Sequence, residues 1–173
     1  MPKDTKEKLL PKYRGWLTES EIAEGMNASR RNARRLYADA QLLYDNSRYA
    51  SALGLACLSI EESAKVSLLR GFATAQDVDV MKRRWKEFRN HSHKTLPWVW
   101  LALFTRKMKE LRGLDPGPQI TPQETETLPV LKEMSFYVDC NGNKHWAEPD
   151  EVVDQGICKE ILESARIFSR SDS

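Results

Sequence analysis

Apolar residues recur at intervals of three and four along most of this chain, which is the period of an α-helix. The clearest stretch runs from Ser47 to Gly71, where Leu53, Cys57, Ile60, Ala64 and Leu68 form one stripe. Ala50, Ala52, Gly54 and Ala56 add small residues that allow neighbouring helices to approach, so this segment is expected at the centre of a bundle. Upstream, Thr18 and Glu21 carry a capping-box signature, which predicts a helix over 19–45 with Ile22, Met26, Ala33, Leu36 or Tyr37, Ala40 and Leu43 or Tyr44 inward. The polar cluster Asp45, Asn46, Ser47 predicts a short turn joining the two helices into an antiparallel hairpin.

A third helix is expected from Asp77 or Asp79 to about His93, with Val78, Met81, Trp85 and Phe88 as its buried stripe. Pro97 suits the start of a fourth, Trp98 to Arg112, whose Trp98, Val99, Trp100, Leu101, Leu103 and Phe104 exceed one core stripe. Deep burial or an oligomer contact would each account for that excess. The proline-rich run that follows reads as a loop over 113–128. Ser135 to Asp139 and Lys144 to Ala147 then read as short strands on either side of Cys140 to Asn143, which contains the Asn-Gly turn signal at Asn141 and Gly142. Pro149 can open a last helix to about Phe168, with Val153, Ile157, Ile161, Ala165 and Phe168 inward.

The pattern as a whole predicts an all-α antiparallel bundle of about five helices with a small C-terminal β-hairpin. It spans 18–169 as a single domain, between a flexible lead-in over 1–17, whose Tyr13 and Trp16 can dock on the body, and a disordered tail over 170–173.

Composition narrows the class. At 173 residues the chain suits one domain able to bury roughly 70% of its unfolded surface. A net charge of +2 makes the clustering of basic residues more informative than their total. Cys57, Cys140 and Cys158 are widely spaced and odd in number, as expected of reduced thiols in a cytoplasmic protein. The longest apolar run, Leu96 to Phe104, is far short of the roughly 20 residues of a membrane span, and the charged start does not resemble a signal peptide, so no membrane partner is expected.

Candidate chemistry gathers in three places. Arg30, Arg31, Arg34 and Arg35 form a patch at one-turn spacing, which reads either as a solvated face beside Asp39 or as a set of forked donors for RNA phosphates. Glu61, Glu62 and Lys65 interrupt the central apolar helix. Glu61 and Lys65 are spaced for a surface ion pair, or a carboxylate here reaches an interior site and positions basic groups from another helix. Arg84, Arg89, His91, His93 and Lys94 crowd the third helix, where an arginine could hold a phosphodiester while an imidazole moves a proton, or a histidine could simply meet the helix C-terminus. No acidic or cysteine ligand follows at metal-binding spacing, so neither a metal nor a cofactor is expected.

The run NARRLYADAQLLYDNSRYASALGLACLSIEESAK, from Asn32 to Lys65, resembles the signature of the abortive infection protein V (AbiV) family of bacterial anti-phage proteins, with its E-E-x-x-K ending on Glu61, Glu62 and Lys65. FRNHSHK is similar to the family's His-x-x-Lys element, on His91 and Lys94, and YVDCNGNKHWAEP resembles its tyrosine-valine-aspartate turn segment. The resemblance implies a dimeric HEPN-type bundle, a fold that in many relatives is a metal-independent ribonuclease using an arginine and a histidine four to six residues apart. Arg84 and His91 have six residues between them and Arg89 and His93 have three, so both registers stay open. The implied partners are a second copy of the chain, RNA, and a phage protein as trigger. The alternative is a non-catalytic module that senses a phage protein or nucleotide and blocks translation through a partner.

Overall fold

The computed structural model describes residues 12–89, 127–140 and 144–170. Helix α1 spans Glu19–Asp45 and opens on the expected capping box: the Thr18 hydroxyl accepts from the Glu21 amide at 3.2 Å, and the Glu21 carboxylate accepts from the Thr18 amide at 2.7 Å. The Thr18 backbone amide, followed by its hydroxyl, holds the Glu21 carboxyl below the usual carboxylate range. Helix α2, Tyr49–Ala73, follows after three residues and runs antiparallel to α1. The Ser59 hydroxyl donates to the Ala33 carbonyl at 2.8 Å, and Leu69 lies against Gly25; in each pair the partners are nearly equidistant from the turn.

The turn itself is a Schellman motif. The Arg48 amide reaches back to the Leu43 carbonyl and the Ser47 amide to the Tyr44 carbonyl, both at 2.9 Å, so two carbonyls left without partners at the end of α1 are satisfied. This geometry places Ser47 at φ 59°, in the left-handed region that glycine tolerates best.

Helix α3, Val78–Arg89, is capped by the Asp77 carboxylate, which accepts from the amides of Asp79 and Val80 at 2.9 and 2.8 Å. Met81 and Trp85 are buried and Phe88 is half-buried, but Val78, expected inside, is exposed because it opens the helix before the stripe meets α2. Helix α4, Thr127–Met134, occupies the end of the stretch expected to be a loop. Leu128, Leu131 and Ser135 are buried at helical spacing, and Pro129 lies in the first turn, where its missing amide hydrogen has no intrahelical partner to lose.

The strands are shorter than expected: β1 is Asp139–Cys140 and β2 is Trp146–Ala147, paired antiparallel with Asp139 opposite Ala147. Ser135, Phe136 and Tyr137 instead finish α4, their backbone amides donating hydrogen bonds to the carbonyls of Leu131, Lys132 and Glu133. The last helix is divided. Pro149–Val152 forms one turn, α5, and Gln155–Arg170 forms α6, with the Asp154 carboxylate accepting the Ile157 amide at 2.9 Å between them. The fourth helix expected over Trp98 to Arg112 lies outside the described residues.

Two cores share α2. The larger joins Ala40, Leu53, Ala56, Cys57 and Ile60 of the hairpin to Leu128 and Leu131 of α4 and to Cys158, Ile161, Leu162 and Ala165 of α6. The smaller joins Ile22, Leu69, Phe72, Met81 and Trp85, with Leu17 packed against it. Leu69 is buried where the stripe anticipated Leu68, because α3 covers that side of α2. The segment before α1 also engages the smaller core: the Trp85 indole donates to the Gly15 carbonyl at 2.9 Å, and Tyr13 meets the Trp85 ring edge-on with centroids 6.0 Å apart. No helix among the described residues is long and apolar enough to cross a membrane.

This packing makes two outcomes measurable. Ser47→Gly relieves the left-handed backbone and should raise stability by about 1 kcal/mol, seen as a melting temperature higher by about 2–4 °C. Burial, and then the Glu61 carboxylate, push the Cys57 thiol from 9.0 up to about 12, and burial pushes Cys158 up to about 11. A thiol-specific chromogenic reagent should therefore titrate the exposed Cys140 in the native protein and reach the other two only on unfolding. The stabilisation from keeping both buried thiols protonated is complete below pH 9 and is lost as pH rises through the folded values, so urea midpoints should fall across that alkaline range.

Candidate functional site

The acidic spot on α2 resolves into two separate ion pairs. Glu61 is 2% exposed and points away from Lys65 toward α4, where the Lys132 ammonium lies 2.5 Å from its Oε1. Glu62, one position on, turns to the other side of the helix and pairs with Lys65 one turn later. Of the two readings open for Glu61, the inward carboxylate that meets a cation from another helix is the one the structure holds. The surface pair between Glu61 and Lys65 is replaced by Glu62 with Lys65. Lys132 is absent from the sequence candidates because the proline-rich run before it masks the start of its helix. The spacing of Leu128, Leu131 and Ser135, with Lys132 beside that stripe, is the signal that could have revealed it.

Why Glu61 needs Lys132 follows from burial. A carboxylate removed from water loses several kcal/mol of hydration and stays charged only beside a cation with good geometry. Lys132 supplies that charge while its stem crosses the α2–α4 seam, so the pair also fixes where α4 sits.

The Glu62–Lys65 pair faces α3. The Lys65 ammonium stands 5.6 Å from the centroid of the Phe88 ring, close enough for cation–π attraction. Both side chains are only about one-fifth exposed, 18% for Glu62 and 20% for Lys65, so water screens the pair weakly. Arg84 and Arg89 lie elsewhere on α3. Arg84 donates to Glu87 at 3.1 Å and rests against Gly71, where an added Cβ would come within 3.2 Å of its Cζ. Its Nε is buried with no hydrogen-bond partner among the described residues. Arg89 turns toward the segment before α1: it donates to the Tyr13 carbonyl, and its guanidinium lies 4.6 Å from the centroid of the Trp85 ring. Burial, and then the charge of Arg14, lower the pKa of Arg89 from its ordinary value.

The structure thus brings Lys65 together with Glu62 and α3, and Glu61 together with Lys132, while Arg84 and Arg89 occupy two further environments. His91, His93 and Lys94 lie outside the described residues.

Two arginines of the α1 patch bond within their own helix and a third reaches α6. Arg35 pairs with Asp39 at 2.9 Å and donates to Asn32, and Arg30 donates to Asn27 at 3.1 Å. Arg34 donates to the Ser169 carbonyl at 3.2 Å, which satisfies an end carbonyl of α6 and ties that helix to α1. Arg31 is exposed. Among the described residues no group of three or more histidine, cysteine or acidic side chains is placed to hold a metal ion.

The Glu61–Lys132 pair can be measured directly. In a double-mutant cycle, Glu61→Gln and Lys132→Met should each destabilise the fold. The double variant should lose less than their sum, giving a coupling energy of about 1–3 kcal/mol by urea unfolding.

Comparison with curated proteins gives no match, and comparison with solved structures gives none. A family model described as AbiV, of the HEPN type, matches residues 21–170, from the first turn of α1 to the end of α6. The chain therefore belongs to the AbiV family.

Proposed function

We propose that this AbiV-family protein acts in abortive infection as a metal-independent HEPN-type ribonuclease that stops translation. The observation that carries the reading is the partly buried Glu62–Lys65 pair. It belongs to the E-E-x-x-K ending of the family-like run and packs on Phe88, the first residue of the segment FRNHSHK that bears His91, His93 and Lys94.

In this mechanism His91 or His93 withdraws the proton of a ribose 2′-hydroxyl. The freed oxygen attacks the adjacent phosphorus while a second acid protonates the departing 5′-oxygen. Arg84 or Arg89 stabilises the charge that builds on the phosphorane, with Lys65 and Lys94 as further cations and Glu61 and Glu62 holding basic groups in place. The internal nucleophile makes RNA the substrate, since DNA lacks the 2′-hydroxyl. A homodimer would supply base and acid from two copies, and Arg30, Arg31, Arg34 and Arg35 would guide the strand.

A second reading is favoured by a different observation. Glu61, Glu62, Arg84 and Arg35 are each matched to a charge of the opposite sign, as in a structural network. Val130, Tyr137, Val138 and Trp146 meanwhile leave apolar surface exposed around α4 and the hairpin, of the kind a protein partner covers. On this reading the chain senses a phage protein or nucleotide and blocks translation through a partner without cleaving RNA.

The two readings separate in one experiment. Purified protein incubated with total RNA in EDTA should yield cleaved RNA, and the double variant His91→Ala with His93→Ala should lower the rate at least about a hundredfold. Intact RNA throughout, with toxicity retained in the double variant, would replace the first reading with the second.

A further inference from the structure

We infer that Arg14, Lys82, Lys86 and Arg89 form a binding groove for a ligand carrying several adjacent phosphates, completed by the segment that precedes α1. The groove has a volume of about 520 Å³ and, among the described residues, is lined by these four cations and Trp85, with no carboxylate. Lys82, Lys86 and Arg89 fall on one face of α3 at intervals of four and three, around Trp85. Arg14 supplies a cation from a different part of the chain.

The architecture is held from within rather than by surface chance. The Trp85 indole donates to the Gly15 carbonyl at 2.9 Å, and Arg89 donates to the Tyr13 carbonyl while lying on the Trp85 ring, so the residues on either side of Arg14 are fastened to α3. Tyr13 in turn donates to the Trp16 carbonyl at 2.8 Å, which keeps that short segment bent over the helix. Like charges brought together this way repel, and the lowered pKa of Arg89 reports part of that crowding. Lys82 is offset by Asp79 at 3.1 Å, but Arg14 and Lys86 form no ion pair among the described residues.

Phosphate oxygens fit this set better than a single carboxylate. Several cations are spread over about two helical turns, so a ligand must present more than one negative group along the groove, and arginine adds planar, forked donors suited to phosphate. Arg14 and the segment that carries it precede residue 21, where the family match begins, so this groove is not assigned by that match. It also stands whether or not the chain cleaves RNA.

The test uses the full chain at low salt. Inorganic tripolyphosphate and a fluorescent single-stranded oligonucleotide are the probes, with polyglutamate as the carboxylate control. Tripolyphosphate and the oligonucleotide should bind more tightly than polyglutamate, and Arg14→Ala with Lys86→Ala should weaken both by about tenfold or more. For the oligonucleotide, the double variant should also reduce the dependence of log affinity on log salt by about 1.4, or 0.7 for each lost contact. Tighter binding of the oligonucleotide than of tripolyphosphate assigns the groove to a strand, and the reverse order assigns it to a compact polyphosphate. Lys144→Ala with Lys159→Ala, which alters charge outside the groove, should leave affinity within about twofold. Equal affinity in wild type and the Arg14, Lys86 double variant, or polyglutamate binding as tightly as the phosphates, would overturn the proposal.

Discussion

The burial of α2 is the constraint on which the rest of the structure depends. Ala50, Ala52, Gly54, Ala56 and Ala64 keep its surface thin enough for α1, α4 and α6 to approach, and Ser59 commits its hydroxyl to the Ala33 carbonyl so that it adds no unpaired polar group to the seam with α1. Gly54 shows how close the approach is: a Cβ there would fall 2.3 Å from the Phe136 ring. Once α2 is enclosed, any charge on it must either turn to a gap between helices or bring its own partner. Glu61 brings Lys132, and Glu62 uses the gap above α3 with Lys65.

Much of this was legible because helical periodicity reports one-sided burial directly. Glu19–Asp45 begins and ends where the capping box and the polar turn place it, since both signals are local and act through backbone hydrogen bonds. Val153, Ile161 and Ala165 are buried as their spacing implies. What periodicity misses is a helix that begins inside a proline-rich run. Pro129 argues against structure when read as a residue type, and argues for a helix start when read as a position. Of the strand expected over Ser135 to Asp139 only Asp139 lies in β1, for the complementary reason: a three-residue apolar run does not distinguish a strand from the end of a helix.

The site was legible in its residue types and less so in its pairings. Four consecutive positions of α2, from Glu61 to Ala64, span nearly a full turn, so neighbouring carboxylates face different helices, and the choice between i,i+3 and i,i+4 partners depends on what packs there. Phe88 occupies the space beside Lys65, and Lys132 occupies the space beside Glu61; neither neighbour is visible from α2 alone. The arginines of α1 show the same limit. Their spacing describes a patch, but Arg34 is drawn to the end of α6, a helix more than a hundred residues later in the chain.

Charge in this protein is therefore divided between two uses. Where helices meet, opposite charges are matched within the fold: the Glu61–Lys132 pair fixes α4 against α2, while Arg84 and Glu87 pair within α3. Along the outer face of α3, Lys86 and Arg89 stand beside Arg14 with no carboxylate among the described residues lining the space between them, and aromatic packing on Trp85 and backbone hydrogen bonds hold the segment in place against that repulsion. A fold that matches interior charges in this way, yet fastens an additional arginine beside a row of cations, gathers positive charge at this groove. An anion arriving there would relieve repulsion that the folded chain already carries, which gives the groove a driving force for binding independent of any chemistry elsewhere.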